Sequence, residues 1–248
     1  MRWLAVLIAG FVAGAASILL ANPGTTVQPP AATAAAQVNT GVAGTGVRNP
    51  DELVENQPDL PLDAATRAQV AAQLTEARVF ALRYPTVTDA VQAGYHLAGG
   101  FAPGTGAHYV SYSGLSGPGP VAVDHPEALI YDGTSPTSHV VGLMYYAMTP
   151  QAPEGFAGPN DHWHRHHGVC VQYSAAGISV PLPADADVTE AQCATVHGSY
   201  LSVTGWMVHA WVVPGWESPQ GVFSHSNPDL RCADGTFNTD KAGFCQGT

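Results

Sequence analysis

Eleven histidines occur in this 248-residue chain, more than its eight lysines and arginines combined. Four crowd into Asp161-His162-Trp163-His164-Arg165-His166-His167. Gly158-Pro159-Asn160 before the run and Gly168 after it disfavour a continuous helix, so the segment reads as extended backbone. Side chains alternate in extended backbone, and His162, His164 and His166 then project to one side. That spacing lets two or three imidazoles reach one cation, and neutral imidazole is a good ligand for zinc, copper, nickel or iron. The competing reading is a solvated His-rich loop with incidental metal affinity.

Other polar groups fall where burial is expected. His108 follows a glycine-rich loop and opens a strand, and His209 interrupts Trp206-Met207-Val208-His209-Ala210-Trp211. A single histidine in such a run is ordinarily a hydrogen-bonded core residue. Glu127, just before Ala128-Leu129-Ile130-Tyr131, is harder to explain that way, because burying an unpaired carboxylate is costly unless a cation offsets it. A metal centre on these residues joins His162, His164 or His166 to His108, His209 and Glu127. Three or four N/O donors suit tetrahedral zinc, with an open position if one is missing. Met144, Met148 and Met207 lie in the same stretch of sequence, and thioether beside imidazole favours copper, although core packing explains each methionine singly. Zinc and copper both stay open. Asp161 is placed to orient a ligand histidine. If the centre is catalytic, Glu127 is the candidate general base. His96, His197 and His225 read as ordinary polar positions.

A net charge of -11 removes the basic footprint that nucleic-acid binding requires. HExxH, GxSxG, a Walker A loop and CxxCH are all missing, and Lys241 is the single lysine.

These residues need elements to carry them. Arg2 followed by the apolar run 3–20 has the pattern of a signal peptide or signal anchor over residues 1–21. Membrane contact is expected only through that segment if it stays uncleaved. Residues 22–57, rich in Ala, Pro, Thr and Gly, read as a disordered tether, and 58–248 as one folded domain. Cys170, Cys193, Cys232 and Cys245 suit an oxidising compartment, and pairing them in sequence closes short loops. Asp63 caps an Ala-rich helix that ends before Tyr84-Pro85, and Thr88 caps a shorter one over 89–93. Strands follow near 108–112, 128–131, 139–148, 168–173 and 205–213, with one intervening helix near 189–196. The fold class is α+β, with one or more N-terminal helices followed by a mainly antiparallel β-sheet.

Pro103-Gly104-Thr105-Gly106-Ala107-His108-Tyr109, Pro126-Glu127-Ala128-Leu129-Ile130-Tyr131, the histidine run and Met207-Val208-His209-Ala210-Trp211 occur in an order that resembles a family of uncharacterised exported bacterial proteins. The resemblance spans about 78–232 and brings no activity with it. It implies that His108, Glu127, the clustered histidines and His209 are the matching polar positions. The expectation is an exported transition-metal-binding protein of the cell envelope. Its rivals are a secreted metalloenzyme and a metal-free structural or surface-interaction domain built on Trp206, Trp211 and Trp216.

Overall fold

The computed structural model describes residues 58–111, 121–174, 177–237 and 243–245. All of these belong to one compact unit, Gly46–Thr248. The signal and tether readings of 1–57 lie outside the described residues.

Helix α1 (Ala64–Ala81) starts as its cap requires: Asp63 accepts from the backbone N–H of Thr66 at 2.8 Å. It buries Ala77, Phe80 and Ala81 and ends at Leu82, before Pro85 can interrupt it. Helix α2 (Val87–Gln92) begins one turn-residue pair earlier than the sequence suggests. Thr86 is its cap, because Asp89 reaches back to the Thr86 N–H at 2.9 Å in a reciprocal box. The Thr88 hydroxyl donates instead to the carbonyl of Pro136. Helix α3 (Glu190–Thr195) is capped by Thr189 and Gln192 in the same manner and lies among the later strands.

The described residues form eight strands: β1 (His96–Leu97), β2 (Ala107–Val110), β3 (Ala128–Tyr131), β4 (Val140–Ala147), β5 (His167–Ser174), β6 (Gly177–Ser179), β7 (Ser199–Val203) and β8 (Trp206–Ala210). Every pairing is antiparallel. They form two sheets rather than one: five strands in the order β1-β2-β3-β4-β8, and three in the order β6-β5-β7. The sheets are joined where the N–H of Val180 donates to Ala98 and where His164 bridges to Met207.

Register decides which side chains meet. Residues directly opposite in an antiparallel pair share a face. His108 opposes Ile130 and Ile130 opposes Gly142, while Ala128 opposes Met144 and Met144 opposes His209. These side chains therefore line one face, and Met207, two residues before His209, joins them. The other face carries Tyr109, Leu129, Tyr131, Leu143 and Tyr145, which form the main core with Phe80 and Ala81 of α1. The Tyr109 and Tyr131 rings meet edge-on at 5.2 Å, and the Tyr131 hydroxyl donates to the carbonyl of Tyr84. Helices α1 and α2 thus pack against the core of the large sheet, the small sheet lies across its other face, and α3 packs on the small sheet.

Two disulfides close the fold, Cys170–Cys193 and Cys232–Cys245, the sequential pairing. The first ties β5 to α3 within a small second core with Val188. No described helix is long and apolar enough to cross a membrane.

Candidate metal centre

His164, His209 and His225 bring ligand-capable nitrogens within 4.8 Å of one another, and the three residues are 3, 2 and 5% exposed. Each arrives from a different part of the fold. His209 projects from β8 toward the small sheet because the strand's alternation puts Met207 and His209 on that side. His164 is fixed by a two-way backbone bridge: its N–H donates to Met207 at 2.9 Å, and it accepts from Met207 at 2.8 Å. Its neighbour Arg165 turns the other way, donating to the carbonyl of Thr149 and stacking over Trp206 at 4.1 Å.

His225 sits on a loop held by side-chain and backbone bonds. Trp211 donates its indole N–H to the Ser224 carbonyl at 2.8 Å, and the Ser224 hydroxyl donates to the Ser226 carbonyl at 2.8 Å with the Ser218 hydroxyl 2.9 Å away. Asn227, fully buried, donates its side-chain amide to Trp216 and its backbone N–H to Gly104.

Hydrogen bonds set the tautomers. His209 Nδ1 is 2.6 Å from the carbonyl of His225, and only an N–H can donate there, so Nε2 presents its lone pair. His164 Nδ1 likewise faces the carbonyl of His162 at 3.3 Å, and its buried Nε2 has no hydrogen-bond partner. This is the arrangement in which a metal-ligating histidine is oriented through its other nitrogen. Burial pushes both imidazoles well below the ordinary histidine pKa; the next largest cause is His225 for His164 and His108 for His209. Both are therefore neutral near pH 7 and already in the ligand form.

Two more histidines complete a cluster of five rings. His108 Nε2 lies 3.2 Å from His209 Nε2. The His166 ring packs 5.2 Å from His164 and 5.3 Å from His225.

Of the residues singled out from sequence, His108, His164, His166 and His209 come together. His162 and Glu127 do not. His162 Nε2 pairs with Asp59 at 2.9 Å, because a tight turn at Asp161, whose carbonyl accepts from the Trp163 N–H, breaks the alternation assumed for the run. Glu127 immediately precedes β3 in phase with Leu129, so it belongs to the helix-covered face, and it accepts from the Tyr146 N–H at 2.8 Å. Burial raises its carboxyl to about 7. Asp161 orients no histidine through its side chain; it accepts from the Phe156 N–H and the Trp163 indole. His225 is the member that sequence reasoning passed over. Ser224-His225-Ser226-Asn227 has the composition of any polar loop, and no local signal marks it.

Beside the cluster, between the two sheets, is a cavity of about 420 Å³ bordered by His108, His166, His209 and His225. Met144, Met148 and Met207 also line it. No family model, curated protein or solved structure matches this chain, so the site must be judged on its own geometry.

Proposed function

We propose that this protein is an extracytoplasmic transition-metal-binding protein whose metal ligands are His164, His209 and His225. The observation that carries the proposal is the buried triad itself. Burying three imidazoles side by side is costly wherever a ring nitrogen lacks a partner, as His164 Nε2 does. They become favourable once a cation takes their lone pairs. The two disulfides, together with the apolar run 3–20, support a location outside the cytoplasm. Three imidazoles with the Met144 and Met207 thioethers on the same cavity wall form a donor set for zinc or copper.

Metal analysis of untagged full-length protein tests the reading. One zinc or copper per chain is expected, and a metal at 100-fold its Kd should add about 2.7 kcal/mol of stability. His209→Ala should abolish both the bound metal and the metal-dependent rise in Tm. His197→Ala, distant from the triad, should leave both in place. A protein that takes up no metal and melts identically with and without chelator would falsify the proposal.

A further inference from the structure

The cavity beside the triad has a chemistry that a simple metal store does not need. Its walls are mainly apolar: Val110 and Met144 of the large sheet and Val169, Val171, Ile178 and Leu201 of the small one line it, together with the rings of Tyr146, Tyr173 and Phe244. Its lining contains no Asp, Glu, Lys or Arg among the described residues; its polar side chains there are four histidines, Thr105, Thr204, Tyr146 and Tyr173. At about 420 Å³ it falls within the roughly 300–1,000 Å³ of small-molecule sites.

Charge then selects the occupant. A divalent cation on three imidazoles, ligands that carry no negative charge, keeps its full charge in apolar surroundings, where an uncompensated ion is costly. No described residue lining the cavity supplies an anion, so the remaining coordination position favours one that arrives from outside. The apolar walls favour a hydrocarbon body behind that anion.

Resting on the metal-binding reading above, we propose that the cavity takes an aliphatic carboxylate. Its head group binds the cation held by His164, His209 and His225, and its chain lies between the two sheets. His108, 3.2 Å from His209 Nε2, stands at the cavity wall where an imidazole N–H can donate to the second carboxylate oxygen.

The test uses full-length protein loaded with cobalt(II), whose visible bands report changes in coordination. Decanoate should shift those bands and bind roughly 100-fold or more tightly than acetate, because the longer chain buries many more methylenes. Decanol should bind more weakly than decanoate and leave the bands unmoved. Leu201→Trp, which fills the cavity from β7, should retain cobalt and lose decanoate; Val110→Phe provides the same block from the opposite sheet. His108→Phe should keep cobalt and weaken decanoate binding.

Equal binding of acetate and decanoate overturns the proposal, as does decanoate binding that leaves the cobalt bands unchanged. Loss of cobalt from His108→Phe makes His108 the fourth ligand and also overturns it, while the metal-binding reading survives. Failure of the unaltered protein to take up cobalt, zinc or copper removes both.

Discussion

Titration couples the buried groups to stability in opposite directions. As pH falls through 6.5, histidines in the unfolded chain take up protons, whereas His164 and His209 resist because their folded pKa values lie well below. The unfolded state then binds more protons, so acid destabilises the metal-free protein. Glu127 works against this trend. Its folded pKa of about 7 exceeds the ordinary 4.5, so its contribution is complete below pH 4.5 and is lost as pH rises through 7. Glu127→Gln cannot ionise and its amide oxygen can still accept from Tyr146. The variant should be more stable than the parent at pH 8, by on the order of 2 kcal/mol, and should lose stability more steeply on acidification. Urea unfolding of both metal-free proteins between pH 4.5 and 8 measures this; parallel curves would show that Glu127 is not buried as described.

Among the elements, β4 and β8 hold the most important contact behind the triad. Gly142 lies opposite Ile130 on the cavity-side face, and a Cβ there would approach the Trp211 ring to 2.8 Å. Trp211 in turn holds Ser224, next to His225. Gly142→Ala should therefore cost about 1–3 kcal/mol through overpacking. It should also weaken metal binding, since the displaced indole pulls on the loop that carries His225. Denaturation with and without metal separates the two effects: equal losses in both conditions would mean that Trp211 does not position the loop. The helices were legible because caps and proline act locally, as at Asp63 and Thr189. The expected cap at Thr88 was misplaced for the same local reason: Thr86, not Thr88, has Asp89 three residues ahead. The short strands β1, β6 and β7 carried too little pattern to be seen, and each forms because a partner strand offers its edge.

For the whole molecule, the negative charge and the uncharged cavity belong to different regions: the acidic excess attracts cations broadly, while affinity is local to the imidazoles. Cys232–Cys245 secures the C-terminal segment, whose Phe244 packs on Gly99 and Gly100 and lines the cavity. Replacing both cysteines by serine should cost about 2–4 kcal/mol yet leave the metal bound, because all three ligands lie outside that loop. Thermal melting and metal content of this variant check both halves; metal loss would mean that the loop also shapes the triad. Composition and local pattern were enough to name the antiparallel α+β class, the disulfide partners and four histidines, His108, His164, His166 and His209, that lie together in the fold. They act through caps, alternation and loop closure, which depend on neighbours in sequence. Folding alone could recruit His225 and send His162 and Glu127 elsewhere. Which face of a strand meets which layer, and where a polar loop comes to rest, depend on pairing register and on bonds such as Asn227 to Gly104 that join residues far apart in the chain.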